Sequence, residues 1–258
     1  MTEPTLTGIR LDLEWRTTVL TLVLLPVLVG LGLWQLQRAD EKVAIAAQWE
    51  QRSMLSPAPL QGLASAAAHE LAYLPVKFSG RFLDQQYFLL DNRIYRGVFG
   101  YQVLAIMQLD RGGSVLVNRG WIAGDSSRLS LPVVPPVSAP TALTGHVYVP
   151  PGAPYLLADL ALEAGWPKRI QAIEMDKLGA ALEGVAQGPL FPYSVRIDPH
   201  QSAALTVDWQ ILNVSPEKHT GYAVQWFAMA AALFIFFVLR SSNLWQLIKG
   251  ESRKESDS

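Results

Sequence analysis

The sequence predicts a membrane protein of the α+β kind: two transmembrane α-helices flank a mainly antiparallel β, barrel-like domain with short helices, held outside the cytoplasm. Three observations carry that expectation. An uncharged apolar run stands near each end of the 258-residue chain. The stretch between the runs breaks into short apolar segments ended by Gly, Pro and Asn, as strands joined by turns do. Half of the residues are hydrophobic and the formal net charge is −1, so no basic footprint for nucleic acid is present. The chain has no cysteine, which removes disulfides, thiolate zinc sites, iron–sulfur clusters and thiol nucleophiles together.

The first run, Thr17 to Trp34, follows a tail of residues 1–16 and holds 18 positions without a charge. At 1.5 Å per residue it covers roughly 27 Å, the thickness of a hydrocarbon core. Trp15 and Trp34 bracket it, with Arg16 and Arg38 just outside. A cleaved signal peptide has a shorter apolar region, and the first A-x-A after the run, Ala44 to Ala46, lies beyond several charges, so an uncleaved anchor is expected. The second run, Tyr222 to Leu239, is apolar around its whole circumference except for Gln225, and a tail of residues 240–258 follows. Lys218 and His219 precede it, Arg240, Lys249, Arg253 and Lys254 follow, and Trp226 and Trp245 mark its ends.

Two spans place both tails on one side, and their Arg10, Arg16, Arg240, Lys249, Arg253 and Lys254 point them inward. Glu3, Asp12 and Glu14 are unlike a mitochondrial transit peptide. The expected setting is therefore a bacterial inner membrane, with residues 35–221 as a periplasmic domain and membrane lipid as a partner. Gly30 and Gly32 on one span, and Ala228 and Ala232 on the other, offer small surfaces for close helix approach.

Between the spans, helix-forming residues continue the first helix to about Ser53, and residues 56–72 hold an Ala-rich stretch suited to a short helix. Strands are expected at about 73–83, 86–92, 98–109, 114–122, 142–149, 168–174, 190–198 and 206–214, with a short helix over 173–182. Arg111–Gly112–Gly113 reads as a hairpin turn, and the proline runs 132–140 and 150–154 as loops. Gly80, Gly97, Gly100 and Gly120 read as turn or bulge positions.

Three segments in this order carry a family resemblance: GRFLDQQYFLLDNRIYRGVFGY over 80–101, SVLVNRGWIAG over 114–124, and LNVSPEKHTGYAVQWFAMA over 212–230. With the first anchor ending LGLWQLQRADEK, the chain resembles the Surfeit-locus (Shy-type) assembly factors of cytochrome c oxidase. The likeness is weakest over 125–190, and Tyr101–Gln102 stand where the family pattern has Thr-Pro. The resemblance implies a non-enzymatic role in maturing the oxidase catalytic subunit, with that subunit as partner and haem a synthase as a second candidate. It also implies transient haem a as cofactor, with His219 as axial ligand to the iron. The alternative is a cofactor-free scaffold that holds the nascent subunit.

His219 lies on the helical face that continues through Tyr222 or Ala223 to Trp226, so Tyr222 and Trp226 are candidate cofactor-binding aromatics. A neutral imidazole is a normal haem ligand. The competing reading of all three is a polar and aromatic belt at the membrane surface. Arg93, Arg119 and Trp121 are candidates for haem propionates or a partner's carboxylates, because a guanidinium fork matches them; a salt bridge pinning a loop is the alternative. His69, His146 and His200 stand alone, the five Met residues form no cluster, and no hydrolase, nucleotide-binding or zinc-protease motif occurs.

Overall fold

A computed structural model describes residues 13–150, 152, 162–211 and 214–242. The tail charges Arg10, Lys249, Arg253 and Lys254, with Trp245, lie outside the described residues. The chain divides into two units, residues 1–46 with 212–258, and residues 47–211.

The first unit is built on two helices, α1 (Trp15–Ser53, as far as residue 46) and α4 (Pro216–Arg240), both long and apolar enough to cross a membrane. α1 runs without a break through Pro26, and α4 starts with Pro at its first turn after an extended Ser215, where the missing N–H costs nothing. Thr21, Leu28, Gly32 and Ala39 are buried on α1, at spacings that keep one face. Ala223 and Ala230 are buried on α4. Gly32 is the close approach: a Cβ there would lie 2.6 Å from the Phe227 ring. The small residues expected to pair divide accordingly. Gly32 packs on α4, whereas Gly30 has nothing within 4 Å and Ala228 and Ala232 are exposed, because the buried face follows Ala223 and Ala230.

The second unit is a mainly β domain: β1 (Ala58–Pro59), α2 (Ala68–Leu71), β2 (Pro75–Tyr95), β3 (Val98–Leu109), β4 (Ser114–Ala123), β5 (Thr141–Tyr148), β6 (Lys168–Ile170), α3 (Met175–Ala181) and β7 (Ser194–Ile197). The sheet runs β1-β2-β3-β4-β7-β5, and β5 pairs again with β2, so the pairings form a circuit. β2–β3, β3–β4, β5–β7 and β2–β5 are antiparallel; β4–β7, β1–β2 and β2–β6 are parallel.

β3 and β4 fall where the apolar runs predicted them. Arg96 and Gly97, both at positive φ, make the two-residue β2–β3 turn, and Gly112 and Gly113, also at positive φ, sit in the β3–β4 turn. Three expectations are corrected. Segments 73–83 and 86–92 are one strand, β2, because the polar run Asp84–Gln86 is absorbed in a register shift between Phe82 and Tyr87 rather than a turn. The strand expected over 206–214 is, in its described part, a single bridge of Thr206 to Trp121; Trp209 instead packs on the core edge and donates its indole N–H to the Ile197 carbonyl. Gly80 and Gly100 are interior to strands, not turns. A Cβ on Gly80 would strike the Gln108 carbonyl, and one on Gly100 the Ile122 carbonyl.

Alternation sorts the side chains. Val76 and Phe78 of β2, Val115 and Val117 of β4, Leu143 and Val147 of β5, and Val195 and Ile197 of β7 share one core. Phe88, Leu104, Ile106 and Leu116 face the other way, under Leu178 of α3.

Candidate functional site

His219 sits in the first turn of α4, and its Nδ1 lies 2.8 Å from the Gln35 Oε1 of α1. With the Gln35 carbonyl oxygen as acceptor, Nδ1 is the donor, and a neutral ring of that tautomer keeps its lone pair on Nε2. An imidazole of that tautomer is ready to ligate a metal through Nε2, and the amide fixes the ring's direction as an outer-shell partner does. Trp226, seven residues on, shares the His219 face and is half-buried. Tyr222 lies one turn from His219 and is 52% exposed. Of the three predicted α4 residues, His219 and Trp226 are partly buried and Tyr222 is exposed. Gln35 carried no sequence signal beyond its place one residue after Trp34.

In the sheet unit, Arg93 and Trp121 come together and Arg119 turns the other way. The Trp121 indole lies across Gly100, where a Cβ would be 2.6 Å from the ring, and its Nε1 donates to the Arg93 carbonyl at 2.8 Å. Tyr95 packs on the same indole, with centroids 5.3 Å apart. Glycine at position 100 is therefore what admits the tryptophan. Arg119 is only 5% exposed: its Nε donates to the Ala203 carbonyl at 2.8 Å, its NH1 to the Pro135 carbonyl at 3.0 Å, and its guanidinium covers Phe82. Burial pulls the pKa of both Arg93 and Arg119 down from the ordinary value, yet both remain cations. Arg119 thus ties two loops to β4 through their carbonyls.

Arg196 of β7 was not singled out by the sequence, although it stands beside the buried Val195 and Ile197. Its guanidinium lies 3.8 Å from the Tyr148 ring centroid and 5.2 Å from that of Trp209. His146 meets Asp198 at 3.1 Å, and Thr144 also donates to that carboxylate. Trp49, in the part of α1 that belongs to this unit, stacks at 4.8 Å on His146. No group of three His, Asp or Glu side chains able to hold a metal occurs among the described residues.

The SURF1 family matches this chain over residues 22–231, from inside α1 to inside α4. A SURF1-like protein of Rickettsia felis is 25% identical over 245 residues, covering 89% of this chain and 98% of its own length. SURF1-like proteins of Dictyostelium discoideum and Monosiga brevicollis are 32% and 35% identical over 102 and 104 residues, each covering 36% of this chain. The matched part spans 38% of the Dictyostelium protein and 40% of the Monosiga protein. A match that takes in both long helices and the sheet between them makes this chain a member of the SURF1 family.

Proposed function

We propose that this protein is an assembly factor for haem–copper cytochrome c oxidase, binding haem a transiently at His219 and assisting its insertion into the catalytic subunit. Family membership supports the assembly role. A bacterial inner membrane, with α1 and α4 spanning it and the sheet unit in the periplasm, fits the apolar side chains the two helices expose, among them Leu22, Val23, Ile235 and Phe236.

The observation that carries the cofactor reading is the 2.8 Å contact of His219 Nδ1 with Gln35. The donor set fits haem: a single imidazole whose Nδ1 is held by an amide. His219 would hold the group, and haem bound there would supply an iron able to take an imidazole nitrogen. Gln35 keeps the ring in one tautomer and one direction, and Trp226 offers an aromatic surface on the same helix face.

A second reading, a scaffold without cofactor, draws on the β2–β3 hairpin. Ile94 and Val98 there are 75% and 50% exposed beside the Arg93–Trp121 pair, an apolar tip suited to a partner chain. Co-expression with haem a synthesis, detergent purification and a visible spectrum of the wild type beside His219→Ala separate the two. A haem a spectrum in the wild type that is lost in the variant supports delivery. A colourless wild type that still captures the oxidase subunit turns the assignment to the scaffold.

A further inference from the structure

Seven large hydrophobic side chains are exposed among the described residues of the sheet unit, and five of them lie on two adjoining segments. These are Ile94 and Val98 of the β2–β3 hairpin, and Leu129, Leu131 and Val133 of the loop after β4. Arg128 joins the segments: its Nη2 donates to the Asn92 side chain at 2.9 Å, and its guanidinium lies 4.2 Å from the Phe99 ring centroid. The Gly124 N–H also reaches the Phe99 carbonyl at 3.0 Å. Inward anchors hold the loop. Val134 is buried beside Leu89 and Val103, Arg119 donates to the Pro135 carbonyl, and the Val137 N–H donates to Asp84.

The hairpin exposes apolar groups on both of its faces. Ile94 is in register with Phe99 and Val98 with Tyr95, and successive residues of a strand point to opposite sides. A partner chain docked on one face would cover one of the two, whereas a fluid apolar phase takes in both. The rim is cationic: Arg96, at the turn, lies over the Tyr95 ring at 5.3 Å, and Arg128 stands beside the other strand. No Asp or Glu occurs over 92–100 or 126–137. Of the flanking acids, Asp91 is buried facing Arg128, and Asp125 accepts from Ser127 and Ser130. An apolar tip edged by arginine and tyrosine suits an anionic lipid surface, where apolar groups enter the acyl boundary and arginine stems lie along it with their heads at the phosphates. The chain enters and leaves the sheet unit through helices apolar enough to cross a membrane, which keeps lipid at high effective concentration.

We propose that the β2–β3 tip, with Leu129 and Val133, is a lipid-docking surface: Ile94 and Val98 enter the headgroup boundary of an anionic bilayer, and Arg96 and Arg128 meet its phosphates. The proposal rests on α1 and α4 crossing that bilayer, and not on haem at His219.

The chain has no cysteine, so Ile94→Cys, Val98→Cys, Arg111→Cys and Val23→Cys each take a single environment-sensitive fluorophore. The full-length variants are reconstituted into vesicles of phosphatidylglycerol and phosphatidylcholine, with and without nitroxide-labelled lipid. Labels at 94 and 98 should be blue-shifted and quenched by the nitroxide, and the label at 111, in the turn at the other end of β3, should be neither. Arg96→Asn, which tolerates the positive φ of the turn, should lower the ratio of inserted to free tip about fivefold, the worth of one cation at an anionic surface. Val23→Cys reports on α1 itself. Quenching at 23 but not at 94 and 98 overturns the docking surface and leaves the span standing, also where co-reconstituted oxidase subunit shields the tip instead. Equal quenching at 111 overturns it as unspecific adsorption. No quenching at 23 removes the spanning reading and this proposal with it.

Discussion

Replacing Gln35 by Leu tests how His219 is held. The substitution keeps the volume near the ring and removes the only oxygen 2.8 Å from Nδ1. A hydrogen bond of this kind is worth about 1 kcal/mol net, roughly a fivefold change in the ratio of the two neutral imidazole tautomers. The wild type is therefore expected to carry the Nδ1 proton predominantly, and the Leu variant to shift toward Nε2–H. Nitrogen-15 spectra of the haem-free protein read this directly, because protonated and bare ring nitrogens resonate far apart. Gln35→Glu keeps an acceptor in place and should preserve the wild-type pattern. Titrated with haem, the Leu variant should bind about 10–100-fold more weakly, as metal sites do when an outer-shell partner of a ligating histidine is lost. A wild type found as Nε2–H would show the amide turned with its NH2 toward the ring and would remove the argument. A Leu variant with unchanged tautomer and unchanged haem affinity would refute it as well.

Arg119→Met should destabilise the sheet unit by about 3 kcal/mol, since it removes two charge-assisted bonds and leaves the Ala203 and Pro135 carbonyls unpaired; an unfolding midpoint within experimental error of the wild type would contradict the pinning role. Asp198 supplies a pH test. Burial raises its carboxyl, but the hydrogen bonds from His146 and Thr144 outweigh that and hold it below the usual carboxylate range. A depressed folded value means stability that is present above the unfolded value of about 3.9 and lost as pH falls through the folded value. Melting from pH 7 down to pH 3 should therefore show a steeper loss in the wild type than in Asp198→Asn, and parallel curves would count against the His146–Asp198 contact as a source of stability.

How far the sequence carried depended on whether the deciding forces were local. β3 and β4 were legible because they are apolar on both faces and bounded by turn residues, so packing and turn chemistry agreed. β2 was split in expectation because Asp84–Gln86 look like a turn in isolation; the neighbouring strand resumes its register after them, and only the pairing shows that. The end of the domain misled for the opposite reason. Residues 206–209 alternate as a strand does, but with one bridge to Trp121 their alternation serves to lay Trp209 against the core.

The sites divide in the same way. His219 stood out by its position before an apolar run, whereas Gln35 is 184 residues distant and gains its meaning only from helix pairing. Arg119 was read as a group for propionates or carboxylates or as a loop-pinning ion pair, yet extending the alternation of Val115 and Val117 by two residues puts it on the inward face, where it holds carbonyls instead. Arg196 stayed hidden because a charge between two apolar residues is the usual outward position of a strand.

The circuit of strand pairings also sets when the domain can be completed during synthesis. β4 and β5 are both paired to β7, yet β7 ends at Ile197, long after β2, β3 and β4 have been made and close to the start of α4 at Pro216. Until Ser194–Ile197 emerge, the β4 and β5 edges stay unpaired and the apolar face shared by Val117 and Val147 is open. At roughly 5–20 residues per second this is an interval of seconds in which a nascent chain is sticky. A chain cut short just before Ser194 would thus lose more than four residues at its end: it would be left with two exposed strand edges, and its fate would be decided by quality control rather than by the strength of the strands already formed.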